Sequence, residues 1–199
     1  THLLPCNGTK HYTPPINASD DYRIVHENDM SKELPSTCLR SLFKIITQCQ
    51  SDACYYDIPL TGHFINYRGS MINWCPIGRN ANHTQRKRFI EYDKKKDFRL
   101  MMMSKVRTKI DIQCPNKVTV KLGGDTSFDI YPKGWDKTYA LQHFENQTCW
   151  FVGDRCEPLG NDHEIYMELD KHERAFKTAG PLETGKIITN QIIPKLMHL

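Results

Sequence analysis

Histidine, cysteine and a dense run of bases are the residue types here that could do chemistry. The chain carries nine histidines and eight cysteines in 199 residues. The tightest histidine grouping sets His163-Glu164 near His172-Glu173, residue types suited to proton transfer or to holding a metal ion. The spacing argues against both. A Ca²⁺ loop needs carboxylates at alternate positions, and the run Gly160-Asn-Asp-His-Glu164 lacks that register. These residues read as solvent-facing groups of a loop and the strand after it. His143, between Gln142 and Phe144, reads as a strand residue. Protonation near pH 6 makes histidine an acid sensor in general, but nothing singles out one of the nine. There is no Gly-x-Ser-x-Gly elbow, His-Glu-x-x-His pair, Walker loop or dinucleotide fingerprint. The sequence therefore assigns no catalytic, cofactor-binding or metal-ligating residue, and the expectation is a binding protein, not an enzyme.

The cysteines are Cys6, Cys38, Cys49, Cys54, Cys75, Cys114, Cys149 and Cys156. An even count with no Cys-x-x-Cys pair points to disulfides. Four sequons, at Asn7, Asn17, Asn82 and Asn146, mark sites for glycosylation. Together they predict an extracellular glycoprotein made in the secretory pathway. Cys38 and Cys49 fall on one expected helix, roughly 16 Å apart at about 1.5 Å per residue, so they cannot pair. Cys149 with Cys156, and Cys49 with Cys54, are the local pairs left open. The chain opens at Thr1 with neither methionine nor signal peptide, which reads as a mature or excised fragment. It has no run of about 18 apolar residues that could span a bilayer.

The segment from Arg79 to Lys109 holds eleven bases against three acids, although the whole chain carries only +4. Arg86, Lys87, Arg88, Lys94, Lys95 and Lys96 could form an electrostatic footprint for a polyanion such as a sulfated glycan. The same residues read more simply as a solvated, lysine-rich edge hairpin that resists edge-to-edge pairing. Trp135, in a Gly-Trp-Asp turn, is the aromatic most open to serve as an exposed binding anchor. No nucleic acid partner is expected.

The elements behind these residues read as one α+β domain, an antiparallel sheet core with one or two packed helices, stapled by disulfides. An irregular arm covers 1–35, the core 36–170 and a tail 171–199. Period-two alternation predicts strands at 106–114, 118–122 and 128–130, the last two joined through Gly123-Gly124 as a hairpin. Shorter strands are expected at 22–25, 63–67, 71–74, 89–92, 99–103, 139–144, 149–152 and 164–169. Ser36 to Gln50 is the clearest helix, with Ser36 as N-cap and Leu39, Leu42, Phe43 and Ile46 along one stripe.

The run Asn146-Gln-Thr-Cys-Trp-Phe-Val-Gly-Asp-Arg-Cys156, followed by Ile165-Tyr-Met-Glu-Leu-Asp170, is similar to the attachment subunits of filoviruses and arenaviruses. With its sequons and cysteines, the chain resembles a receptor-binding surface subunit of an enveloped virus. That resemblance implies attachment to a host cell-surface receptor, protein or glycan, without a cofactor. It also implies association with a membrane-anchored fusion subunit of the same precursor, in an oligomeric spike on the virion. Two other classes stand beside it. One is a secreted host or parasite glycoprotein that binds a ligand or modulates a receptor. The other is a secreted hydrolase dependent on His163 or His143.

Overall fold

The computed structural model describes every residue except Ala18 and residues 197 to 199. The middle of the Asn17 sequon and the last three residues of the expected tail therefore lie outside the described residues. By contact the chain forms two compact units, Thr1–Trp135 and Asp136–Leu199.

In the first unit, β1 (Lys10–Thr13) and β2 (Arg23–Glu27) form a two-stranded antiparallel ribbon. A short helix, α1 (Met30–Glu33), and a long one, α2 (Ser36–Ala53), follow. Then come β3 (Ile65–Tyr67) and β4 (Ile72–Trp74), and helices α3 (His83–Lys96) and α4 (Phe98–Gln113). The hairpin of β5 (Val118–Gly123) and β6 (Ser127–Pro132) closes the unit. The sheet order is β3-β4-β6-β5, with every neighbouring pair antiparallel.

The hairpin forms as the alternation predicts. Gly124 takes the left-handed turn position, with φ 53°. Helix α2 also forms. Pro35 occupies the position before its first turn, so Ser36 is the first helical residue, not the cap. Cys38, Leu42, Ile45, Ile46, Cys49 and Ala53 make its buried stripe, while Leu39 and Phe43 sit at its flanks.

The segment 106–114 was expected to be a strand and is the end of α4. Ile110 and Ile112 alternate with polar residues, but Ile112 is 71% exposed. The period that governs is helical: Phe98, Met102, Val106 and Ile110 recur every four residues and are all buried. Residues 89–92 and 99–103, expected as an edge hairpin, lie in α3 and α4. Asp97, with φ 51°, turns the chain between the two helices. The basic block is thus largely a helical pair. Asn82 opens α3 with a capping box shared with Gln85.

The core lies between one face of the sheet and α2 and α4. Trp74 stacks on Phe128 at 4.7 Å between centroids. Its indole Nε1 donates to Gln50 Oε1 at 2.7 Å, which fixes the apolar sheet face toward α2. Phe89 meets Phe98 edge-on, and α4 lies along β5.

The second unit begins with a 3₁₀ segment, Lys137–Phe144, where a strand at 139–144 was expected. It continues with β7 (Phe151–Gly153), α5 (His163–Asp170) and β8 (Ala175–Lys177). β7 and β8 pair in parallel, which requires a crossover, and α5 between them supplies it. The strand expected at 164–169 is therefore helical: Ile165 and Leu169, four apart, are its buried residues. Helices α6 (Pro181–Ile187) and α7 (Ile193–Leu196) flank a π-helical turn. Among the described residues no helix is long and apolar enough to cross a membrane.

Candidate functional site

Strand register assembles a polar row across the whole first sheet. Asn66 of β3 faces Asn73 of β4, Asn73 faces Asp129 of β6, and Asp129 faces Lys121 of β5. The rows before and after it are mainly apolar, Ile72–Ile130–Val120 and Trp74–Phe128–Leu122. Alternation places those on the face toward α2 and the polar row on the opposite face. Asn73 and Lys121 are nonetheless buried, at 3% and 8% exposed.

Hydrogen bonds join this row to two arginines. The Asn73 amide accepts from Arg79 Nη1 at 2.8 Å. Its Nδ2 donates to Asp129 Oδ1 at 2.8 Å and to Ser127 Oγ at 3.0 Å. Arg86, on the first turn of α3, reaches back. Its Nη2 donates to the Arg79 carbonyl, its Nε to the Ala81 carbonyl and its Nη1 to Thr126 Oγ1. Among the described residues Arg86 takes carbonyl and hydroxyl partners, not a carboxylate. Its charge is thus held in place without being neutralised. Two guanidinium groups suit the oxygens of a phosphate. The amide, carboxylate and hydroxyl beside them suit the hydroxyl groups of a polyol.

The second unit holds another polar centre. Asp162, 1% exposed, closes the loop that leaves β7. Its Oδ2 accepts the backbone N–H groups of Asp154 at 3.1 Å and Arg155 at 3.0 Å, and its Oδ1 accepts from Lys137 Nζ. The loop needs its glycines. A Cβ at Gly153 would stand 2.7 Å from Asp162 Oδ2, and one at Gly160 would stand 2.0 Å from the Arg155 carbonyl. Lysine and aspartate thus meet beyond the carboxyl end of a parallel strand, the end where α/β sheets present ligands. Among the described residues no cluster of three or more His, Cys, Asp or Glu side chains is arranged to hold a metal ion.

The profile of the eukaryotic phosphomannomutase family matches residues 16–194. The chain belongs to that family. A phosphomannomutase of Encephalitozoon cuniculi is 43% identical over 174 residues, covering 85% of this chain and 62% of its own length. One from Babesia bovis is 35% identical over 167 residues, covering 82% and 63%. The Schizosaccharomyces pombe phosphomannomutase is 40% identical over 129 residues, covering 63% and 49%. The chain thus spans about half to two thirds of the length of these curated relatives. In fold it is similar to an IMP-bound IMP-nucleotidase mutant of Plasmodium falciparum. The TM-score is 0.59 at 13% identity, over 100% of this chain and 48% of that one.

Membership of the phosphomannomutase family overturns the viral reading. The attachment subunit, the host receptor, the fusion-subunit partner and the location on a virion surface all fall with it, as does the secreted-binder alternative. Relatives that carry an enzyme's name also overturn the expectation of a non-enzyme. The cysteine-bounded segment that suggested a virus contains β7 and leads into the Asp162 loop.

The expected site residues are scattered. Trp135 is 9% exposed and its carbonyl accepts from Asn7 Nδ2, so it is no exposed anchor. Lys87, Arg88, Lys94, Lys95 and Lys96 are exposed on α3, and Arg88 pairs with Asp57 at 2.6 Å. Only Arg86 is linked to the polar row, through its bond to the Arg79 carbonyl. Of the sequon asparagines, Asn7 is half-buried and Asn82 caps α3, while Asn17 and Asn146 are exposed. His163 Nδ1 lies 3.0 Å from the Cys156 carbonyl.

The disulfide staple reduces to one bridge among the described residues, Cys38–Cys114, which ties the start of α2 to the end of α4. Cys6, Cys49, Cys54, Cys75, Cys149 and Cys156 are free thiols, so neither local pair forms. Cys49, Cys75 and Cys156 are buried, in the manner of small apolar residues. Sequence reasoning missed Asn73, Lys121, Asp129, Lys137 and Asp162. For Asn73, Lys121 and Asp129 the signal was the polar half of the strand alternation, taken as a merely wet face, while Lys137 and Asp162 lie outside the strands and carried no such signal.

Proposed function

We propose that this chain forms the phosphosugar-recognising sheet, and part of the phosphoryl-handling site, of a phosphomannomutase. The cross-sheet row joined to Arg79 and Arg86 carries the reading. A phosphorylated mannose has two recognisable ends: a phosphate, for which arginine is the preferred planar donor, and a ring of hydroxyl groups. Arg79 and Arg86 take the phosphate oxygens, and Asp129 and Ser127 offer an acceptor and a hydroxyl to the sugar's hydroxyls. Moving a phosphoryl group spreads negative charge over its equatorial oxygens, so catalysis rests on placed positive charge. In the second unit Lys137, oriented by the buried Asp162, is the cation suited to that task. Its lysine nitrogen stays beside a carboxylate that two backbone N–H groups already hold in place.

Calorimetric titration with mannose 6-phosphate, mannose 1-phosphate and unphosphorylated mannose tests the assignment. Both phosphates are expected to bind, with mannose at least a hundredfold weaker, and Arg79→Gln is expected to weaken the phosphates about tenfold or more. Equal affinity for mannose and its phosphates, or an Arg79→Gln protein that binds them unchanged, overturns the assignment.

A further inference from the structure

We infer that Asn73 is a positioning residue. Its one buried amide sets the orientation of the arginine that takes the phosphate and of the carboxylate that takes the hydroxyls. This rests on the phosphosugar reading and adds the device by which the site is held ready.

Asn73 sits in the middle of the polar row with sheet partners on both sides, and it is 3% exposed. Arg79 is exposed, and its guanidinium is turned toward the sheet by the bond from Nη1 to Asn73 Oδ1. On the other side Asn73 Nδ2 donates to Asp129 Oδ1 at 2.8 Å, to Ser127 Oγ at 3.0 Å and, more weakly, to the Phe128 carbonyl at 3.4 Å. These partners leave one amide orientation. A guanidinium only donates and a carboxylate only accepts, so the oxygen must face Arg79 and the nitrogen must face Asp129. The Ser127 hydroxyl donates onward to the Gly123 carbonyl at 2.6 Å, and so is free to accept from Asn73.

No other side chain of this size does both jobs. Leucine has the volume and neither function. Aspartate keeps the acceptor toward Arg79 but would set a second carboxylate against Asp129. Two carboxylates so close repel, which raises the pair's affinity for a proton against the opposing pull of Arg79 and of Lys121, opposite Asp129. The arrangement also reaches Arg86, whose Nη2 holds the Arg79 carbonyl. One amide therefore fixes the spacing between phosphate donors and hydroxyl partners before any ligand arrives, which lowers the ordering cost of binding.

The test measures mannose 6-phosphate affinity between pH 5.5 and 8 for the unsubstituted chain, Asn73→Leu and Asn73→Asp, with folding followed by circular dichroism. Asn73→Leu is expected to bind at least tenfold more weakly at every pH. For Asn73→Asp the loss is expected to be deep at pH 8 and to shrink toward pH 5.5, as the carboxyl pair takes up its proton. The unsubstituted chain should change the other way, because the phosphate itself loses charge near pH 6. A purely structural role would not invert that pH dependence. Folded variants that bind like the unsubstituted chain, or an Asn73→Asp profile parallel to it, overturn the inference. Failure of the unsubstituted chain to bind sinks the underlying phosphosugar reading instead. Should both variants unfold, the side-chain NH₂ resonances of the unsubstituted protein decide. Asn73 should shift on adding mannose 6-phosphate while the core amide of Gln50 stays still, and an unmoved Asn73 overturns the role.

Discussion

At Cys156 burial pushes the thiol up to about 11, with the nearby Asp162 carboxylate adding to the effect. The thiolate is the reactive form. At pH 8 the folded chain should therefore hold Cys156 as thiolate roughly a hundredfold less than an ordinary cysteine with a value of about 8.5. Iodoacetamide labelling at pH 8, read by peptide mass spectrometry, should modify Cys156 slowly in the native protein and rapidly in urea. Equal rates in the two conditions would refute the assignment of a buried, inert thiol. The sign for stability follows from linkage. The folded value is raised, so the contribution is fully present below about pH 8.5 and is lost as pH rises through about 11. A cysteine of this kind looks from sequence like half of a disulfide. Spacing alone cannot separate a buried free thiol from an oxidised pair, which is why six of the eight cysteines were misread as disulfide partners and Cys38–Cys114 was not singled out.

The loop from β4 to α3 delivers Arg79, and its geometry depends on Gly78. That residue has φ +85°, and a Cβ there would come within 2.1 Å of the Gly62 carbonyl and 2.6 Å of Thr61 Oγ1. Gly124 in the β5–β6 turn has φ +53° but open space around it. Gly124→Ala should therefore cost about 1 kcal/mol, the backbone term alone. Gly78→Ala must also move backbone, and should cost about 3 kcal/mol or more. Urea unfolding of the two variants checks the ranking, and equal losses would show that the close approach at Gly78 is not real. These two glycines also mark what was legible. The β5–β6 hairpin declares itself locally, by alternation on both sides of Gly123-Gly124. Helix α2 does the same through its stripe. In α4 a short alternating stretch at its end competed with the four-residue recurrence from Phe98 to Ile110, and the longer pattern governs. The polar half of each strand was visible, but the row itself could not be assembled, because its members come from four strands and only sheet register brings Asn66, Asn73, Asp129 and Lys121 into line.

For the whole molecule the deciding feature is where the Cys38–Cys114 bridge falls. Cys38 and Cys114 are 76 residues apart, and both belong to the unit Thr1–Trp135. Closing a loop of that size removes unfolded-state entropy equivalent to about 4 kcal/mol in the chain-entropy account. The bridge joins the first turn of α2 to the end of α4, the two helices that cover the apolar face of the sheet whose other face carries Asn73. Reduction should therefore loosen the support beneath the polar row without touching any residue in it. A phosphine reductant is expected to lower the melting temperature of that unit by on the order of 10 °C. Hydrogen exchange should lose protection within residues 1–135 and keep it in 136–199. A Cys38→Ser/Cys114→Ser double variant should reproduce the reduced behaviour and be indifferent to reductant. If the melting temperature of the unsubstituted chain is the same with and without reductant, the bridge contributes nothing to holding the site, and the packing of Leu42, Ile46, Val106 and Ile110 between α2, α4 and the sheet must carry that role unaided.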